Sequence, residues 1–124
     1  LTRTEIIIYG DGMQTRDFTY VDDIVTGTIQ CMEKGVPGKC YNIGGGHQTP
    51  LLRALEIMAE ITGITPKVVH QEVQKGDVRD TAADTTRLRK DTGFAPSTSL
   101  EEGIRAQVEW QRALLKQSPA GGEA

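Results

Sequence analysis

Apolar and polar positions follow two periods along this chain, and each change of period marks an element. Glu5 to Tyr9 is β-branched and aromatic, which predicts a strand, and Gly10-Asp11-Gly12 supplies turn chemistry directly after it. Arg16 to Val21 alternates polar and apolar residues and predicts a second short strand. The period then lengthens. Ile24, Val25, Thr28, Ile29 and Met32 recur at helical spacing, with Asp22 and Asp23 placed as caps and Gly35 as the stop. Cys40 to Ile43 predicts a third strand, leading into Gly44-Gly45-Gly46. Thr49 is expected to cap the next helix, with Pro50 at its first position. Leu51, Leu52, Leu55, Met58, Ala59 and Ile61 form the apolar stripe of that helix, and Gly63 ends it.

Lys67 to His70 predicts a fourth strand, and a polar stretch from Gln71 to Ala83 follows. That stretch is too long for a minimal turn, so it is expected to be functional or partly ordered. Asp84 is expected to cap a short helix carrying Leu88, closed by Gly93 and followed by Pro96. Thr98 or Ser99, with Glu101 or Glu102 three residues on, predicts a capping box. The last helix then runs through Ile104, Val108, Trp110, Leu114 and Leu115, with Trp110 read as a packing residue. Ser118 to Ala124 reads as a frayed, disordered tail. The fold class is therefore α/β, with few short strands and about four helices. So thin a sheet suggests a piece of a larger one.

Composition narrows the partners. The 124 residues carry a formal net charge of -3, which argues against nucleic acid or an anionic membrane as the main partner. The longest apolar run, Ile6 to Tyr9, is far short of a membrane span. No basic start followed by an apolar stretch suggests a signal peptide. Cys31 and Cys40 have no metal-like spacing and read as reduced, half-buried packing residues of a cytoplasmic protein. His47 and His70 lie far apart and do not suggest a metal site.

Two segments carry candidate chemistry. In Gly10 to Phe18, a tight turn delivers Arg16 at the mouth of a strand, and its planar fork suits phosphate oxygens. The pattern is equally met by a surface hairpin with Arg16 paired to Asp17 or Asp11, and pattern alone favours that alternative. In Gly76-Asp77-Val78-Arg79-Asp80-Thr81, carboxylates suited to ribose hydroxyls sit beside an arginine suited to phosphate. A solvated loop satisfies the same residues. The adjacent glycines Gly44 to Gly46 do not make a dinucleotide fingerprint, which needs spaced glycines and a later acidic residue. No nucleophile-and-base motif or phosphate-binding loop occurs. Tyr9, Tyr20 and Tyr41 are followed four residues later by Met13, Ile24 and Gly45, so no tyrosine-lysine pair is present.

Taken in order, these segments resemble the extended short-chain dehydrogenase/reductase family, in its NAD-dependent epimerase/dehydratase branch. The pieces are Tyr9 to Gly12 through Thr15 to Phe18 with Val21 and Asp23, then Tyr41 to Gly45, then Ile61 to Gly63. Gly76 to Arg79 with Ala83-Asp84, Gly93-Phe94 with Pro96, and Leu100 to Ile104 through Trp110 follow. The nearest likeness is to UDP-glucose 4-epimerases and UDP-glucuronate epimerases or decarboxylases.

The resemblance implies a carboxy-terminal, nucleotide-sugar-binding domain over residues 1–117, without the Rossmann domain that holds NAD in the family. It implies that Arg16 binds the UDP diphosphate, that Asp77 and Arg79 lie along the diphosphate and ribose, and that no residue here is catalytic. This reverses the preference drawn from pattern alone. NAD is the family's cofactor and is not expected to bind this chain by itself. UDP-sugar is the implied ligand, with a homo-oligomer or a separate Rossmann domain as partner, because apolar faces of Asp22 to Glu33 and Cys40 to Ile43 would otherwise be open. A non-catalytic interaction module and one half of a split epimerase are the competing readings.

Overall fold

Ile6-Ile7-Ile8-Tyr9 buries Ile8 to 2% exposure and leaves Ile7 and Tyr9 outward, the alternation a half-buried strand requires. In the computed structural model, which describes residues 5–117, this run is β1 (Ile6–Tyr9). It pairs in parallel with β4 (Val68–Gln71), in the register Ile6 to Val68 through Tyr9 to Gln71. Parallel strands need a long crossover. Here it contains β2 (Thr15–Arg16), α1 (Val21–Lys34), β3 (Thr49–Pro50) and α2 (Leu51–Thr62). β2 and β3 form a separate antiparallel pair, Thr15 opposite Pro50 and Arg16 opposite Thr49. α3 (Thr86–Thr92) and α4 (Leu100–Gln117) complete the described chain, which is α/β as the pattern predicts. The tail read at Ser118 to Ala124 lies outside the described residues.

Several local expectations are corrected. The second strand covers only Thr15–Arg16, not Arg16 to Val21. Cys40 to Ile43 is not a strand, because it pairs with no strand among the described residues. It is held by side-chain bonds instead: the Arg87 guanidinium donates to the Cys40 carbonyl at 2.8 Å, and the Asn42 side-chain amide donates to the Asp84 carbonyl at 3.2 Å.

Thr49 does not cap α2. Pro50 occupies the cap position, and the first helical N–H groups are satisfied from outside the helix. Leu51 donates to the Gln14 carbonyl at 3.0 Å and Leu52 to the Gly12 carbonyl at 3.1 Å. This close approach needs a glycine at position 12: a Cβ there would lie 2.7 Å from Leu52 Cγ, and its φ is +76°. α1 likewise has Tyr20 at its cap, without a side-chain bond. Asp23, buried at 9% exposure, is used elsewhere and accepts the Thr98 N–H at 3.0 Å. The cap of α3 is Thr85, while Asp84 accepts the Thr86 N–H at 3.0 Å from one position earlier.

The capping box is present at Ser99 and Glu102. Ser99 N–H donates to the Glu102 carboxylate at 2.9 Å, and Glu102 N–H returns to Ser99 Oγ at 3.2 Å. It starts α4 in register with α2. Between the two helices Ala54, Ile57 and Ile104 form the core, flanked by Ile61, Leu100 and Val108. Each fully buried aliphatic side chain of this kind contributes about 1.5–3 kcal/mol. Trp110 is not part of it: its 57% exposure places it on the outer face of α4. Cys31 is half-buried as expected, whereas Cys40 is exposed. No helix of the described residues is long and apolar enough to cross a membrane.

Candidate functional site

The β2–β3 pair is short, but it places Arg16 against the polar loop between β4 and α3. The loop runs beside β2: Thr15 N–H donates to the Arg79 carbonyl at 2.9 Å, and Thr81 N–H donates back to the Thr15 carbonyl at 3.3 Å. Thr15 Oγ1 donates to Asp80 Oδ1 at 2.6 Å. The loop is thus ordered by backbone pairing to β2, which explains how so polar a stretch holds one conformation.

This pairing brings together all three residues singled out from the sequence. Arg16 Nη2 donates to Asp77 Oδ1 at 2.7 Å across 61 residues of chain, and Nη1 donates to the carbonyls of Thr15 at 2.8 Å and Arg79 at 3.2 Å. Arg16 therefore pairs with neither Asp17 nor Asp11. Asp11 belongs to the other arginine and accepts from Arg79 Nη2 at 3.2 Å. The Met13 N–H and, after it, Arg79 hold the Asp11 carboxyl below its usual range. The Arg16 and Asp77 side chains remain about a third exposed, at 32% and 33%, so their pair adds little to stability. Its consequence is orientation: the Arg16 guanidinium is held at the strand-loop junction, while the Arg79 side chain reaches to Asp11 in the turn after β1.

Asp17 is the residue that sequence reasoning undervalued. Its Oδ1 accepts the Gly45 N–H at 2.9 Å and the Thr19 hydroxyl at 3.1 Å. Its Oδ2 accepts the N–H groups of Gly46 and Ala83, each at 3.0 Å. Burial pushes this carboxyl up, but the N–H groups of Ala83, Gly46 and Gly45 and the Thr19 hydroxyl outweigh it, and the net shift is downward. Gly44 must be small here, since a Cβ would lie 2.6 Å from Ala83 Cβ and 2.9 Å from Asp17 Oδ2. One signal was available: adjacent glycines whose N–H groups converge form an anion nest, and an aspartate follows Arg16.

The glycine turn is thus filled by the chain's own carboxylate. With its N–H groups committed to Asp17, it offers no cradle for the pyrophosphate of a dinucleotide.

Between these segments lies a cleft of about 570 Å³ lined by Arg16, Asp17, Thr19, Tyr41 to Gly44 and Thr81 to Ala83. Tyr41 lines it with its ring while its hydroxyl points away, accepting the Val36 N–H at 2.7 Å and donating to Asp91 at 2.9 Å. His47 is exposed, and His70 Nδ1 lies 2.8 Å from the Gly10 carbonyl oxygen, so neither histidine lines the cleft.

The candidate site is thus a polar cleft beside an arginine, backed by a strand-loop junction in an α/β unit. The profile of the family described as GDP-mannose 4,6 dehydratase matches residues 1–107. The chain belongs to that family, within the NAD-dependent epimerase/dehydratase branch of the extended short-chain dehydrogenases/reductases. It is 37% identical to a UDP-glucuronate 4-epimerase of Thermodesulfobacterium geofontis, over 90% of this chain and 34% of that protein. The UDP-glucose 4-epimerase of Thermotoga maritima, solved with UDP-glucose, superposes with a TM-score of 0.85 at 39% identity, covering 91% of this chain and 36% of that one. A UDP-glucuronic acid 4-epimerase of Bacillus cereus, solved with UDP-glucuronic acid and NAD, gives 0.84 at 32% identity over 90% and 36%. The chain spans about a third of the length of these relatives.

Proposed function

We propose that this chain is the nucleotide-sugar-binding part of an NAD-dependent sugar-nucleotide epimerase or dehydratase, holding a UDP-sugar by its diphosphate and ribose. One observation carries the reading: Arg16, which lines the cleft, meets Asp77 and the Arg79 backbone just outside its lining, so residues far apart in sequence come together beside it. In it, Arg16 and Arg79 neutralise the diphosphate, and Asp77 accepts hydrogen bonds from ribose hydroxyls. NAD and the tyrosine-lysine pair belong to the part of the enzyme outside this chain, and no residue here is catalytic. Solved relatives carry a UDP-sugar and NAD together. Cysteines without a disulfide fit a cytoplasmic setting.

Isothermal titration of the chain with UDP and UDP-glucose tests the reading. Heat that saturates with both, and is lost in Arg16→Ala, is the expected result. No heat with roughly millimolar ligand, the weakest regime of specific binding, overturns it.

A second reading is favoured by a different surface. Val21, Val25, Ile29 and Met32 make an apolar stripe along α1, exposed by 43–79%. Such a stripe suits an interface, whether with a second copy of the chain or with a separately encoded NAD-binding half. A concentration series in analytical ultracentrifugation that shows association supports the first occupant. Turnover restored by an added NAD-binding domain supports the second.

A further inference from the structure

Resting on the ligand reading above, we propose that Asp17 is the positioning residue of the cleft. Its carboxylate ties the Gly44 to Gly46 turn and the end of the loop at Ala83 to the strand that carries Arg16, and so sets the cleft's width. The Asn42 bond to the Asp84 carbonyl at 3.2 Å and the Gly45 N–H bond to Thr19 Oγ1 at 2.9 Å also join these segments, but one carboxylate, that of Asp17, bonds both the turn and the loop end. At the near end, the loop is sewn to β2 by the Thr15 pairings with Arg79 and Thr81. At the far end, the Ala83 N–H bond to Asp17 holds it, and the Gly45 and Gly46 N–H groups reach the same carboxylate from the adjoining glycine turn.

Asp17 faces N–H groups on both of its oxygens. An amide in its place would turn an NH2 toward donors, so Asp17→Asn loses acceptors while keeping shape. Hydrogen bonds to a charged group are worth about 1.5–3 kcal/mol, so loosening this wall is expected to weaken ligand binding about tenfold or more. Asp23→Asn is the matched control. It also removes a carboxylate that accepts a backbone N–H, but from Thr98 in the segment before α4, outside the lining of the cleft.

The experiment uses the full 124-residue chain, with UDP as probe. UDP affinity and the Nε–H signal of Arg16 are compared between wild type, Asp17→Asn and Asp23→Asn. The proposal expects Asp17→Asn alone to lose affinity and to shift the Arg16 signal, with both variants folded by circular dichroism. Equal effects of the two variants, or an unmoved Arg16 signal in Asp17→Asn, overturn it in favour of a general structural role. If wild type binds no UDP, the ligand reading fails, and the Arg16 signal still decides the role of Asp17. If Asp17→Asn does not fold, amide exchange in wild type decides. Linkage is reciprocal, so UDP should slow exchange at Gly45, Gly46 and Ala83 together, and unchanged rates overturn the proposal.

Discussion

The α2–α4 pair and the cleft around Asp17 are held together by different physics. The helices bury Ala54, Ile57 and Ile104 against each other, and their cohesion is chiefly apolar, with only the exposed Arg53–Glu101 pair at 3.6 Å adding charge. In the cleft, Ala83, Gly45 and Gly46 are bound to one carboxylate, and the arginines meet aspartates at the surface. The contrast assigns stability to one region and recognition to the other. A binding site must keep polar groups available to a ligand, so it cannot be sealed by packing. It is held instead by hydrogen bonds that a change of charge can undo.

The largest expected effect falls on the packed side. Ile57→Ala is expected to destabilise by about 2–5 kcal/mol, read from denaturant unfolding, because a side chain with 1% exposure leaves a cavity. Next, Arg16→Ala should cost UDP binding about 1.5–3 kcal/mol in calorimetry, the range for bonds to charged groups. Its melting temperature should barely move, since exposed ion pairs contribute about 0–1 kcal/mol. A large loss of stability there would erase the contrast.

Acid sharpens it further. The folded Asp17 carboxyl is held below its unfolded value, so its contribution is complete above the ordinary carboxylate range. That contribution is lost as pH falls through the lowered native value. The stability gap between wild type and Asp17→Asn should therefore close on acidification, while the gap for Ile57→Ala should not. Thermal melts across pH check both. Ser99→Ala removes one half of the capping box and is expected to cost about 1 kcal/mol. Smallest of all, Met32→Glu on the outer face of α1, where the native side chain is 79% exposed, should change stability by less than about 0.5 kcal/mol. If that stripe is an interface, the same change lowers self-association in sedimentation.

Legibility in the sequence followed the range of the interactions. The helices α1, α2 and α4 and the Ser99–Glu102 box depend on neighbours three or four residues away, and they were readable. The buried faces were not: Ala54 and Ile57 carry the core of α2 outside its expected stripe, and Val25, Ile29, Met32 and Met58 are exposed. Arg16, Asp77 and Arg79 were separately recognisable as residues suited to a nucleotide, and family likeness placed them on one ligand. Their contact was not readable, because it joins positions 61 residues apart. Caps were misjudged for a related reason. Thr49 and Asp23 are good cap residues locally, but Gln14 and Gly12 carbonyls meet the start of α2, and Thr98 claims Asp23.

The sequence alone determined where helices start and stop to within a turn, and the α/β class. Only the tertiary structure decided that Cys40 to Ile43 has no strand partner among the described residues, and that Asp17 rather than a ligand fills the glycine turn. A helix satisfies its own backbone within one segment of chain. A strand edge, a glycine turn and a carboxylate must each find a partner elsewhere, and only the folded chain determines which one is near.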